Sequence, residues 1–283
     1  NVENLGSIGN QGIENDFIGA LAKAVFEKMK DANNEETLAL VKNIHPSKIK
    51  IIETVWDDSL REGGKVLAIE TDKAFNAVSL DSDWAFYIQA DEILHEKYID
   101  DVRSAMNHWK ENKEIDGLLF DYLHFYGSYN YIGESARWYR KEIRVVRNRK
   151  DIFSYKDAQG FRKQHNQKLK VKSADAFIHH YGWVKEPKAM QKKQESFNKY
   201  WHNDNWMNKN VKKSELFDYS VIDALSAFKG THPAVMEERI KRKNWEFDFD
   251  ISTSRFSLKD KVKRTAEKIM GHRIGEYKNY ILV

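Results

Sequence analysis

The sequence predicts an α/β protein, a mixed or parallel sheet covered by helices with a helical extension at its C-terminal end. Three observations point there. Through the first half of the chain, segments with helical periodicity alternate with short apolar runs rich in β-branched and aromatic residues, the rhythm of a sheet flanked by helices. The chain has 283 residues, 41% of them apolar and 13% aromatic, which is enough to bury a sizeable core. After Pro187 the texture changes to charged helical stretches, "PKAMQKKQESFNKYWHNDNW", "THPAVMEERIKRKNW" and "SLKDKVKRTAEKIMGHR", so residues 1–186 read as the sheet domain and 187–283 as a helical extension.

The elements follow in order. "NVENLGSIGNQGIENDF" is rich in Gly and Asn and reads as loop; "IGALAKAVFEKM" then places Ile18, Leu21, Ala22 and Val25 on one helical face. "ETLALVKNI" is a short amphipathic helix, and the β-branched run "KIKIIETVW" predicts a buried strand. "REGGKVLAIETDKAFNAV" sets Val66, Ile69 and Phe75 at roughly helical spacing, with Gly63 and Gly64 just before the helix body. The strand "WAFYIQA", a helix around "YIDDVRSAMNHWKE" and the strand "GLLFDYLHFYG" come next. Residues 137–161 alternate aromatic and basic side chains, "RWYRKEIRVVRNRKDIFSYKDAQGF", and read as hairpin strands with a loop; "DAFIHHYGWV" is one more strand ending in a loop.

Composition narrows the function classes. A formal charge of +4 suits an anionic ligand or an acidic surface and falls short of the dense basic footprint of a nucleic-acid protein. The absence of cysteine excludes disulfides, thiolate metal sites and a cysteine nucleophile. No apolar run reaches the about 18 residues needed to cross a bilayer, and "NVENLGSIGNQ" lacks the layout of a signal peptide. The expectation is a cytoplasmic protein, with peripheral contact at the inner face of a membrane left open.

The stretch "DWAFYIQADEILHE" carries the chemistry. In open α/β sheets ligands gather outside the carboxyl ends of the strands, where Asp91 and Glu92 sit. Strand alternation sends Gln89 and Asp91 to the same side, with the small Ala90 between them. Oxygen ligands with few imidazoles suit Mg2+ or Mn2+, ions that bridge a diphosphate to one or two carboxylates. The competing reading is a strand-to-helix turn in which Asp91 caps a helix starting near His95. "FIHHYGWV" adds His179 and His180 at the end of another apolar run, as a ligand or phosphate contact, or as plain stacking residues.

Together, "WDDSLREGGKVLAIETDKAF", "DWAFYIQADEILHE", "FDYLHFYGSYNYIG", "FIHHYGWVK" and "GTHPAVMEERI" resemble bacterial glycosyltransferases of the GT-A fold, in the large family-2 group of inverting enzymes, over roughly residue 51 to the C-terminus. The resemblance implies transfer of a sugar from a nucleotide-diphosphate sugar donor to a glycan or lipid-linked acceptor, in cell-surface polysaccharide biosynthesis. "QADE" resembles the Asp-x-Asp metal motif: Asp91 matches the acid that binds a divalent ion, and Gln89 stands where the first acid contacts the ribose, implying one-carboxylate metal binding. His180 matches a histidine before a tyrosine that adds a metal or phosphate contact, with Glu92 and His179 beside them on the substrate. Arg61 and Lys65 lie where relatives place basic residues near the diphosphate. The base that takes the acceptor's proton is Asp157, Glu134 or Asp121; Asp157 is favoured because "RVVRNRKDIFSYKDAQGF" resembles the segment preceding the acceptor-side acid. Trp138 and Tyr126 are the candidates for stacking on acceptor sugars. The family opens with a β-branched strand that holds the nucleotide base, where residues 1–40 read as loop and helix, so the nucleotide stays unassigned.

Two rival classes remain. Gln89 suggests a binding protein with a decayed active site. "RWYRKEIRVVRNRK" and "RIKRKNW", basic and aromatic residues interleaved, suggest a single-stranded nucleic-acid groove. The basic segment "KDKVKRTAEKIMGHR" suits anionic lipid head groups or a solvated helix face.

Overall fold

A computed structural model of the chain describes residues 39, 41–43, 48–57, 59–211, 214–252, 255–256, 261–262, 265–267, 269 and 276–283. The expected opening loop and the helix around residues 18–25 lie outside the described residues. So does much of "SLKDKVKRTAEKIMGHR", whose described residues 261–262, 265–267 and 269 are helical.

The centre of the sheet is strand β3 (Gly117–Tyr126), buried along nearly its whole length because it has a neighbour on each side and a helix-bearing layer on each face. It runs parallel to β8 (Gln167–Trp183) and antiparallel to β5 (Lys141–Arg147). β1 (Trp84–Phe86) pairs with β5, β2 (Glu92–Leu94) pairs antiparallel with β8, and β6 (Ile152–Tyr155) and β7 (Gly160–Lys163) form the hairpin that joins the far side of β8. The result is a mixed, curled sheet flanked by helices. β8 is 17 residues long, well beyond the usual 3–10, and breaks in register against β3 let it bend past several partners.

Alternation divides the core into two layers. Leu119, Ile143, Val146 and Leu169 face one side, where Phe75 of helix α1 (Lys65–Phe75) packs with Tyr87 and Phe161. Their chain neighbours Leu118 and Val145 face the other, against Val102 and Met106 of α2 (Ile99–Trp109). Each such fully buried side chain contributes about 1.5–3 kcal/mol of transfer free energy. Gly64 precedes α1 with φ of 70°, and a Cβ there would fall 2.6 Å from Cβ of Asp157, so the helix start fits against the β6–β7 turn only with glycine.

Beyond Pro187, which opens α3 (Pro187–Phe197) as its first helical residue, the chain is helical only in part. α4 (Asp204–Asn210) and α5 (Glu237–Lys241) are short, while β9 (Leu225–Ala227) pairs with β4 (Tyr131–Gly133) and β10 (Tyr280–Leu282) runs parallel to β8. No helix among the described residues is long and apolar enough to cross a membrane.

The strand expected over "KIKIIETVW" does not form: residues 49–57 have no ladder partner, and Val55 is 88% exposed. β-branched residues favour extended backbone, but a strand needs an edge to pair with. The basic and aromatic run around residues 137–149 is not a surface stripe either. Arg144 is fully buried, and the guanidinium of Arg147 sits 3.7 Å from the Trp84 ring centroid while donating to the carbonyls of Trp109, Asn112 and Ile115.

One buried ion pair joins the layers near the end of the sheet. Arg144 of β5 grips Glu92 of β2 with two bonds, Nε to Oε2 at 2.9 Å and Nη2 to Oε1 at 2.7 Å, both side chains wholly out of solvent. Tyr122 donates to the same carboxylate at 2.9 Å. Removing one charge from such a pair strands the other, so Glu92→Gln is expected to lower unfolding free energy by about 3–5 kcal/mol in urea titrations, with Glu92→Leu combined with Arg144→Met recovering much of the loss. A loss under about 1 kcal/mol for the single variant would show that the pair is not closed to water.

Candidate active site

His124 of β3 and His180 of β8 are register partners on adjacent parallel strands, both close to the carboxyl ends. The turn before β2 brings Asp91 to the same place, because β2 pairs with β8 so that Glu92 lies opposite His180, and the Asp91 carbonyl accepts from the Tyr181 amide at 2.8 Å. Three segments distant in sequence thus meet where α/β sheets bind ligands.

Hydrogen bonds fix the protons. His124 Nε2 lies 2.7 Å from the Tyr139 carbonyl, which only accepts, so Nε2 carries the hydrogen. Burial pulls the His124 imidazole down to about 3, with the neighbouring His180 adding to the shift, so the ring is neutral at pH 7 and its Nδ1 is an acceptor. His180 Nδ1, 2.9 Å away, must therefore donate. That leaves His180 Nε2 as a bare lone pair, 3.8 Å from Asp91 Oδ2 and with no proton between them. A Cβ at Gly182 would come within 2.6 Å of both atoms, so the glycine keeps open the space they face.

Positive charge surrounds that space. Lys193 of α3 lies 3.2 Å from Asp91 Oδ2 and donates to the Gly182 carbonyl at 2.9 Å. Burial pushes the Asp91 carboxyl up, but His180, Lys193 and Lys185 more than offset it and hold it well below the usual carboxylate range. Burial also lowers His180, against the pull of Asp91 and Glu92. An imidazole so lowered is neutral at pH 7, so the lysines supply the ionic stabilisation of Asp91 there. Among the described residues no three His, Asp or Glu side chains converge as a complete metal cage. A carboxylate and an imidazole lone pair sharing an open space nevertheless fit Mn2+ or Mg2+ of the kind that keeps waters and substrate phosphates as its remaining ligands.

The other expected residues fall in different places. Gln89 does not share a side with Asp91: the chain turns after Ile88, with the Glu92 amide bonded to the Gln89 carbonyl at 3.0 Å, and strand alternation ends there. The Gln89 amide instead donates to the Tyr87 hydroxyl at 2.9 Å and reaches the Ala158 carbonyl at 3.5 Å. Asp157 precedes Ala158 in the β6–β7 turn and touches Gly64, so Gln89, Asp157 and the start of α1, where Lys65 is exposed, form a second cluster two residues along the chain from Asp91. Asp91 does not cap the following helical turn; His95 does, accepting from the Lys97 amide.

Several candidates are committed elsewhere. Glu92 is wholly buried and occupied by Arg144 and Tyr122, so it is not open to a ligand. His179 is 1% exposed and stacks on Phe125 in the core, and Tyr126, 3% exposed, packs among Trp138, Trp183 and Tyr219, so neither lines an open surface. Trp138 is half-buried and lies over His124, with ring centroids 5.2 Å apart. Asp121 pairs across the strands with Lys141 at 2.8 Å, Arg61 with Asp204 at 2.8 Å, and Glu134 follows β4 at the β9 edge, its amide bonded to the Ala224 carbonyl. Sequence reasoning missed His124, Lys193, Lys185 and Arg144. Only His124 left a signal: "LHFYG" and "HHYGW" end two apolar runs with the same residue types.

No protein-family model matches the chain, and no curated protein matches it.

Two outcomes are expected from the buried imidazoles. In long-range 1H–15N spectra at pH 7, His180 should be protonated at Nδ1 and His124 at Nε2, and His124→Phe should release His180 into a mixture of tautomers; the opposite tautomers in the unaltered protein would dismantle the assignment. The second concerns pH. His124 and His179 are both pulled down to about 3 by burial, and His95, His180 and His232 are lowered as well, so below pH 6.5 the unfolded chain takes up protons that the native state refuses. Glu142, raised by burial to about 7, opposes one of these between pH 7 and 4.5. Net stability in urea should therefore fall by at least about 1.4 kcal/mol per pH unit from pH 6.5 towards 4.5, and a flat profile would contradict neutral buried histidines.

Proposed function

We propose that the chain is a metal-assisted, inverting glycosyltransferase of the GT-A type, moving a sugar from a nucleotide-diphosphate sugar to a glycan or lipid-linked acceptor in cell-surface polysaccharide biosynthesis. One observation carries the reading: the space kept open by Gly182 is faced by the Asp91 carboxylate and an unprotonated His180 nitrogen, with two lysines alongside.

The chemistry needs a site of this kind. Breaking the bond between the anomeric carbon and the diphosphate oxygen leaves the electron pair, and thus negative charge, on the diphosphate. A divalent ion, when bound, offsets that charge. Asp91 and His180 would hold it. Lys193 and Lys185 supply further positive charge beside Asp91 and favour an anionic group there. The acceptor oxygen forms the new bond to the anomeric carbon from the opposite face, and its proton passes to a carboxylate. Asp157 is assigned that role, because it lies in the turn packed against Gly64 and next to the Gln89 contact, while Asp121 is neutralised by Lys141. The Gln89 amide, half-buried beside that turn, is suited to a hydroxyl of the donor.

Release of nucleoside diphosphate from UDP- and GDP-sugars with Mn2+ tests the reading. Activity is expected, with Asp91→Asn and Gly182→Ala each lowering it about 100-fold or more, a few kcal/mol of lost charge stabilisation. Asp157→Asn is expected to slow transfer to an acceptor by about 100- to 10,000-fold while donor affinity holds. No release from any of these donors would leave a binding protein, the rival that Gln89 suggests.

A further inference from the structure

A cavity of about 360 Å3 opens beside the candidate site, between the end of β8, the first turn of α3 and helix α5, in the size range of small-ligand pockets. Its walls pair the half-buried indole of Trp245 with three cations, while Tyr129, 3% exposed, packs in the core behind the lining. Trp245 is held by its Nε1–H bond to the Gly127 carbonyl at 2.8 Å, and Tyr129 lies tilted against it with centroids 6.4 Å apart. Lys185, Arg239 and Arg242 supply the charge, and Glu186 and Glu238 also line the space. Arg242 comes within 3.9 Å of Glu238. Lys185 and Arg239 are in no ion pair among the described residues. Burial pulls the Lys185 amine down to about 8, and the like charges of Lys193 and Arg239 add to the effect against the opposing pull of Asp91. Lys185 also acts on Asp91, which makes this cavity and the candidate site electrostatically continuous.

A fixed indole suits the apolar face of a pyranose, and a lining with three cations against two carboxylates suits an anionic substituent on it. Neutral sugars would bring no anion to Lys185 and Arg239, and a bare phosphate would leave the Trp245 ring unused. We propose that this cavity takes an acidic sugar, a pyranose bearing a carboxylate or a phosphate, either as the transferred residue of the donor or as the terminal residue of the acceptor. The proposal rests on the transferase reading for its role in catalysis and on the cavity alone for its binding chemistry.

The test uses the full chain and ligand-observed NMR titrations with glucose, glucuronate and glucose 6-phosphate, then UDP-glucose and UDP-glucuronate, all with Mn2+. At least one acidic sugar should bind 10-fold or more tighter than glucose, and Arg239→Gln and Lys185→Met should each erase that preference with melting temperatures within a few degrees of the parent. A preference for UDP-glucuronate over UDP-glucose that Arg239→Gln removes assigns the acid to the donor; a preference confined to free acidic sugars added beside UDP assigns it to the acceptor. Equal binding of acidic and neutral sugars, or a preference that survives Arg239→Gln and Lys185→Met, overturns the proposal. If donors are hydrolysed without any acid preference, the cavity proposal alone fails. If acidic sugars bind in an Arg239-dependent way and no donor binds or turns over, the transferase reading fails and the cavity assignment stands.

Discussion

The geometry of the candidate site depends on the guanidinium of Arg144. Besides gripping Glu92 with two bonds, it donates to the Gln159 carbonyl at 2.9 Å and lies about 5 Å from the ring centroids of Tyr87 and Tyr122. Glu92 follows Asp91 in the β2 turn, and Gln159 lies two residues after Asp157 in the β6–β7 turn. One cation therefore ties together the two loops that carry Asp91 and Asp157. Desolvating both charges costs several kcal/mol per ion. That cost is met because each polar atom of the pair has a partner: Glu92 Oε2 also accepts from the backbone N–H of Gln89, and Arg144 Nη1 also donates to the Ile143 carbonyl.

Protons propagate that order to the strand ends. A carbonyl at Tyr139 dictates the His124 tautomer, His124 dictates that of His180, and the consequence is an exposed lone pair facing Asp91. A chain of neutral donors and acceptors does this without any buried net charge, which the low dielectric of the strand ends would penalise. Trp138, lying over His124, covers the relay from one side.

The sequence made α1, α2, β1, β3 and the end of β8 legible, because each follows a periodicity enforced by burial on one or two faces. It also singled out Asp91 and His180, since charged or imidazole side chains at the ends of apolar runs have few other reasons to be there. What it hid is tertiary. Glu92 looked like a substrate contact, and only the register of β5 against β3 shows the buried Arg144, 52 positions away, that consumes it. Gln89 and Asp91 were expected on one side, and a single hydrogen-bonded turn separates them. "KIKIIETVW" has strand propensity but pairs with no strand, and propensity yields to pairing. Tyr126 and His179 carry polar handles that composition cannot distinguish from ligand contacts, yet both are used in aromatic packing.

Lys193 shows how the site manages its own charge. Its ammonium sits 3.2 Å from Asp91 and 2.9 Å from the Gly182 carbonyl, against the same space that Asp91 and His180 face. A divalent ion in that space would repel it by about 8 kcal/mol at 4 Å and an effective dielectric of 20. The ammonium and a divalent ion therefore cannot both remain close to Asp91 unless an anion arrives with them. Lys193 is three-quarters buried but sits on a flexible four-carbon stem, so it can follow such an anion outward rather than be lost to solvent. An arrangement of this kind favours a cation and a polyanion together over either one alone, which is what the proposed nucleotide-diphosphate donor with its metal ion would bring.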